Sequence, residues 1–314
     1  MFSANKAEVF CVSNFASTID KLIRCCYNIR MYYFIALATG VVISVMIAVN
    51  GGLTGVYGLY LATAIIHATG LILISTIAWI KKDRVFVKHP WFLYTGGFIG
   101  IVTIMSNNLA FGRISLSAIL ALGLLGQTIT GIAVDQYGLL GMPKYSFNKS
   151  KLIGLILIIG GIAVMIDNVE LLAMILSFVS GISIVLARTV NAKLADLTNA
   201  RVSSVYNYIT GLIGSVLILA ILGRDELFSA QLFAMQGSWF IYFGGALGLC
   251  VVLLSNITVV KISAFYLTML VFIGQIFAGL LIDVVLSGQL SIENLLGGVF
   301  VAFGLCISIY MDRR

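Results

Sequence analysis

No aspartate or glutamate falls in the middle of any long apolar run of this sequence. That absence leaves proton-for-cation exchange through an embedded carboxylate without a residue to work through, and it disfavours a strongly cationic substrate. No GxxxxGK phosphate cradle is present, so ATP hydrolysis within the chain is unsupported. Of the two histidines, only His67 falls inside an apolar run, with no carboxylate near it in sequence. Neither a metal centre nor a nucleophile–base pair can be assembled from that. The reading is therefore of a non-enzyme with no catalytic residue, metal or cofactor. Five cysteines, Cys11, Cys25, Cys26, Cys250 and Cys306, form no spaced framework, which argues against disulfides. Cys25 and Cys26, beside the first apolar run, could accept a lipid. A cleaved signal peptide is not expected, because Lys6, Glu8, Asp20, Lys21, Arg24 and Arg30 interrupt any apolar stretch in the first thirty residues.

What the chain has in plenty is apolar surface. Hydrophobic residues make up 61% of it, charged residues 10%, and the mean hydropathy is +1.09. This composition belongs in lipid. Runs able to cross a hydrocarbon core of about 30 Å lie near 31–50, 57–80, 91–112, 114–135, 152–167, 170–190, 203–222, 237–260, 262–285 and 295–311. They predict an all-α integral membrane protein with about ten transmembrane helices, since a barrel would show short alternating segments instead. Ahead of them, residues 1–30 place Phe15, Ile19, Leu22, Ile23 and Cys26 on one helical face opposite Asp20, Lys21 and Arg24. That pattern predicts a short amphipathic helix lying on the cytoplasmic membrane surface.

The second half repeats the first. Trp91–Tyr137 aligns without a gap on Trp239–Val285 with 14 of 47 positions identical, and the matches include Asn108/Asn256, Ser115/Ser263, Gln127/Gln275, Asp135/Asp283 and five glycine pairs. The register extends to Asn50/Asn191, Thr69/Thr210 and Gly70/Gly211, and downstream to Gly154/Gly297. Two five-helix repeats follow, 31–168 and 169–314. Five is odd, so the second copy must enter the membrane inverted, and such duplication is typical of secondary transporters. Charge agrees. Counted along alternating loops, one side receives 17 of the 19 lysines and arginines, while the other receives Arg113 and Arg224. The positive-inside bias makes the first side cytoplasmic and places both termini there, in a plasma (inner) membrane protein. The net +7 is thus topological rather than a nucleic-acid footprint.

The stretch from Trp91 through Gly96-Gly97-Phe98-Ile99-Gly100, Gly126-Gln127 and Asp135-Gln136-Tyr137-Gly138-Leu139-Leu140-Gly141 to Gly154 resembles the YdcZ-like branch of the drug/metabolite transporter superfamily, in its fused ten-helix form. The likeness covers about 31–312 and implies a transporter fold without a defined substrate. The second copy departs from it after Asp283, where Leu286-Ser287-Gly288-Gln289 replaces the glycine-flanked loop. A glutamine associated with the family four residues before Asn50 is Met46 here and Ala187 in the second copy, so no substrate role carries over to that position.

Polar groups at membrane depth are the candidates for function. Gln127 and Gln275 lie on small-residue ridges, Gly123–Gln127–Gly131–Asp135 and Gln275–Gly279–Asp283, where they either bridge helices or line a substrate cavity. His67 titrates near neutral pH and is a coupling candidate, though a buried histidine more often only donates a hydrogen bond; its twin is Tyr208. Asn50, Asn191, Asn108 and Asn256, toward span ends, either open onto a cavity or bond exposed backbone. Asp135 and Asp283 are expected at the water interface, as caps on neighbouring helices before coupling groups. Gly96/Gly100 and Gly244/Gly248 read as packing motifs. Together these predict a secondary active transporter working by alternating access. It would export a small polar metabolite or drug, with protons as candidate coupling ions, as a monomer or homodimer. Its partners are the lipid bilayer and a small-molecule substrate, not nucleic acid. A lipid-linked-substrate flippase, a passive channel and a non-transporting scaffold are the alternatives.

Overall fold

The computed structural model describes residues 4–142, 144, 155–156, 159–161, 163, 170–227, 238–259, 261–262, 264–288 and 292–312, with side chains from Arg30 onward at most of these positions. Its main helices are α1 (Ala4–Tyr57), α2 (Leu59–Ile80), α3 (Gly96–Ala110), α4 (Leu116–Tyr137), α5 (Leu171–Leu197), α6 (Ala200–Leu222), α7 (Gly244–Thr258), α8 (Ala264–Ser287) and α9 (Ile292–Asp312). No strand forms among the described residues.

Among the described residues, seven segments are long and apolar enough to cross a membrane: Arg30–Tyr57 within α1, then α2, α4, α5, α6, Trp239–Thr258, and Tyr266–Leu286 within α8. The span expected at 91–112 is divided instead. A tight turn at Trp91–Tyr94 leads into α3, whose 15 residues rise about 22 Å, less than the hydrocarbon thickness. Its copy has the same two parts, Trp239–Phe243 and the 15-residue α7, joined without a break. Ten of the sixteen residues of the span expected at 152–167 lie outside the described residues, and that at 295–311 falls within α9. The surface helix expected in 1–30 is continuous in its backbone with the first span, as one helix from Ala4 to Tyr57.

The span expected to stop at residue 190 runs to Leu197. Charge suggested a loop at Arg188 and Lys193, but Val190, Ala192 and Leu194 are buried and carry the helical face onward. The turn comes at Thr198-Asn199, where the Asn199 side chain accepts from Val202 N at 2.9 Å and starts α6.

A single residue joins α1 to α2. Gly58 has φ +84, a conformation that disfavours any side chain. A methyl group there would also lie 2.3 Å from the carboxyl carbon of Glu226. That carboxylate accepts from the backbone N–H groups of Leu59, Tyr60 and Leu61 at 3.1, 2.9 and 2.8 Å, satisfying donors that a helix start leaves open.

The copies interlock through twin crossings. Gly40 of α1 meets the Val271 carbonyl of α8, and Gly274 of α8 meets the Leu37 carbonyl. The twin crossing sets Gly181 of α5 against the Gly123 carbonyl of α4, and Gly126 against the Phe178 carbonyl. An added methyl would lie 1.9 to 2.2 Å from those oxygens. Small residues are required because helices in lipid associate by close backbone approach. A second twin set joins α3 to α6 at Gly97 and Gly211, and α7 to α2 at Gly245 and Gly70.

Candidate functional site

Where α1, α2, α3, α5, α6 and α7 converge, they enclose a cavity of about 140 Å³. Twenty residues line it, and eighteen of them are twins across the duplication. Ile43/Ile184, Met46/Ala187 and Asn50/Asn191 come from α1 and α5. Ile66/Asn207 and His67/Tyr208 come from α2 and α6. Gly100/Gly248, Thr103/Val251, Ile104/Val252 and Asn107/Ser255 come from α3 and α7. Arg188 and Asn256 line it alone, since their twins Ile47 and Asn108 are absent from the wall.

The helices place these groups by local hydrogen bonding. His67 is 2% exposed, and its Nδ1 lies 2.9 Å from the Thr63 carbonyl one turn earlier, so Nδ1 carries the proton and donates. Its ring packs on Gly211, and Tyr208 packs on Gly70, the twin contact. The Tyr208 hydroxyl donates to the Gly245 carbonyl at 3.3 Å. Asn191 Nδ2 donates to Asn207 Oδ1 at 2.8 Å, and the Asn191 carbonyl accepts from Ser203 Oγ at 2.6 Å. In the other copy Ile66 replaces Asn207, and Asn50 Oδ1 has no hydrogen-bond partner among the described residues. Ser180 Oγ donates to Asn107 Oδ1 at 2.7 Å. Both amide atoms of Asn256 lack partners among the described residues, although the residue is buried.

Of the candidates read from the sequence, Asn50, His67, Asn191, Tyr208 and Asn256 come together here. Gln127, Gln275 and Asn108 do not line the cavity; all three are buried among helices. The two glutamines thus stand apart from this cavity. They sit at the glycine crossings, with Gln127 N facing Gly181 and Gln275 N facing Gly40. Ser44 Oγ donates to the Gln275 carbonyl at 2.9 Å. Gly100 and Gly248 correct a second expectation: they face the cavity, while Gly96 and Gly244 pack against Asn191 and Asn50.

The two aspartates part company. Asp283 caps α4, accepting from Leu116 N and Ser117 N at 3.0 Å and from Ser117 Oγ at 2.5 Å. Asp135 was expected at the water interface but is 3% exposed. The reason is Arg188, which interacts electrostatically with it. Arg188 is the residue the sequence reading missed. It is 7% exposed, lines the cavity, and donates through a terminal guanidinium nitrogen to Thr268 Oγ1 at 3.2 Å. The signal available was its position three residues before Asn191, on the same face one turn away. Among the described residues no group of three or more metal-ligating side chains occurs.

Several contacts join the loops of the two copies. Asp83 accepts from Arg201 Nε and the terminal guanidinium nitrogen at 2.5 and 2.8 Å, and from Asn199 Nδ2 at 3.2 Å. Tyr206 Oη donates to the Val85 carbonyl. Arg113 pairs with Glu170 at 3.3 Å, and Glu226 reaches the start of α2.

Comparison with known proteins agrees with this architecture. A solved crystal structure matches with a TM-score of 0.62, covering 90% of this chain and 97% of its own at 13% identity, a likeness of fold alone. No curated relative matches the sequence. A family model described as "Putative inner membrane exporter, YdcZ" matches twice, over residues 31–164 and 172–307, once on each copy of the repeat. With both halves matched and helices long and apolar enough to cross a membrane in each, the chain belongs to the DMT_YdcZ family, within the drug/metabolite transporters.

Proposed function

We propose that the protein is a secondary active exporter of a small polar metabolite or drug, and that the cavity between the two copies is its substrate site. The observation that carries this reading is the cavity wall, in which eighteen of twenty residues are twins. A wall drawn equally from two copies suits a site at a repeat interface, where rocking of one repeat on the other exposes it alternately to each side. In this reading residues 31–168 and 169–314 are inverted about a pseudo-two-fold axis in the membrane plane, close to the reciprocal contacts of His67 on Gly211 and Tyr208 on Gly70. The partition of loop contacts supports cytoplasmic termini. Asp83 and Arg201 meet on the lysine-rich side, and Arg113, Glu170 and Glu226 lie on the other.

His67 is the coupling group of this reading, because it is the titratable imidazole on the wall. Asp283 serves α4 as a cap instead. The test is efflux from proteoliposomes with substrates found by a thermal-shift metabolite screen, in which a ligand of the folded state raises its melting temperature. Gly248→Leu fills the cavity and should abolish both binding and efflux. Efflux that persists at the unmodified rate in a folded Gly248→Leu protein overturns the assignment.

A further inference from the structure

The cavity is charged on one side only. Among the described residues Arg188 is the one formally charged group on its wall, and its twin is Ile47, 3% exposed. An arginine held inside a membrane helix is expensive and marks an ion or substrate path by default. Arg188 lies nine residues before the end of α5, about 14 Å along the helix axis, too deep to be a loop anchor. A guanidinium cannot shed its charge and presents five N–H donors in a planar fork. Asp135, which is not on the wall, interacts with it electrostatically, and one donor goes to Thr268 Oγ1. Arg188 lines a cavity that has no carboxylate on its wall. A second, independent feature points to a ligand: Asn256, 3% exposed and lining the same cavity, has neither amide atom hydrogen-bonded among the described residues. Buried amides are ordinarily satisfied.

Resting on the reading of this cavity as the transport site, we infer that the substrate carries a carboxylate and that Arg188 is its anchor. A planar guanidinium matches a carboxylate through two parallel N–H···O bonds. One arginine whose charge Asp135 also feels disfavours a dianionic phosphate more strongly than a monoanion. Size narrows the class further. An apolar cavity of about 150 Å³ accommodates benzene, so 140 Å³ suits a molecule of roughly six non-hydrogen atoms. Small monocarboxylic acids and small amino acids have that size, with Asn256 available to a hydroxyl or amino substituent.

The experiment measures thermal shift and equilibrium binding on the purified full chain in nanodiscs. The probes are propionate, lactate and L-alanine, their amides propionamide and lactamide, the cation propylamine, and inorganic phosphate. At least one of the three carboxylates should raise the melting temperature in a saturable way, and the amides, propylamine and phosphate should not. Arg188→Gln should weaken that carboxylate at least tenfold, while Arg188→Lys, which keeps charge but loses the fork, should fall between. If Arg188→Gln does not fold, Asn256→Ala serves as the second variant and should weaken lactate or L-alanine more than propionate. Equal binding of amides and carboxylates, carboxylate binding unchanged in Arg188→Gln, or no stabilisation by any of the three carboxylates would each overturn the assignment. Failure of the transport-site reading would appear differently, as probe binding that survives Gly248→Leu.

Discussion

The rings of His67 and Tyr208 meet edge to face, with centroids 6.1 Å apart and planes inclined at 65°. They occupy equivalent positions in the two copies of the duplication, yet one is an imidazole and the other a phenol. Each packs on the glycine that is the twin of the other's support, Gly211 and Gly70. The pair therefore lies where the two copies meet, on the wall of the cavity both copies build.

If His67 couples export to protons, His67→Gln should retain substrate binding and flatten the pH dependence of transport. Glutamine keeps a donor for the Thr63 carbonyl, so the helix should stand. Efflux measured in proteoliposomes from acidic to mildly alkaline pH checks this. A pH profile identical to that of the parent protein would remove His67 from the coupling mechanism.

The glycine crossings should be the least tolerant positions in the fold. A side chain at Gly126 or Gly274 would drive into the Phe178 or Leu37 carbonyl at 2.2 and 2.1 Å. Overpacking of this kind costs about 1–3 kcal/mol or more. Leucine at either position should lower yield and melting temperature. Leucine at Gly55, which has nothing within 4 Å, should be nearly neutral. Normal melting of both crossing variants would mean the helices are not packed this way.

Asp283 should act as a cap and not as a proton carrier. Asp283→Ala removes acceptors from the first turn of α4, which costs about 0.5–2 kcal/mol when caps are lost. The melting temperature should fall while the pH profile of efflux keeps its shape. A shifted profile with unchanged melting would reverse the assignment.

Asp83 gives a pH-dependent stability contribution whose sign follows from its partner. The hydrogen bond from Arg201 holds its carboxyl below the ordinary aspartate value. A group depressed on folding stabilises at pH above its unfolded pKa and loses that contribution as pH falls through the folded one. Asp83→Asn should therefore melt below the parent protein at pH 7, and the gap should narrow as pH drops below the ordinary aspartate range. A gap that does not change with pH would mean the carboxylate charge is immaterial there.

The repeat and the membrane character were legible in the sequence because both are carried by composition and by identities such as Asn108/Asn256 and Gln127/Gln275 that survive at fixed offsets. Arg188 was not legible, because charge near a span end reads as loop, and only the burial of Val190, Ala192 and Leu194 shows that the helix continues. Polar residues at depth stand out in the sequence as a class. Their division was not visible: Asn50 and Asn191 reach the cavity while Gln127 and Gln275 hold glycine crossings, and that depends on which face of each helix meets its neighbour. The second glycines of the two GxxxG pairs, Gly100 and Gly248, escaped for the same reason.

Orientation can be read by labelling. In a cysteine-free background, Asp225→Cys should react with a membrane-impermeant maleimide applied to sealed cells, and Arg84→Cys should react only after the membrane is opened. Both positions are exposed. Equal labelling in sealed cells would place the two loops on the same side and contradict inversion of the repeats.

The central claim, that the cavity is a site reached alternately from both faces, is tested most directly by a single cysteine on its wall at Ser255. Sealed vesicles of right-side-out and inside-out orientation are exposed to the same impermeant reagent, and labelling is read against Gln127→Cys at a buried crossing. The expected result is reaction at position 255 from each face and protection at position 127 from both. Reaction at position 255 from one face only, or from neither, would contradict alternating access through this cavity.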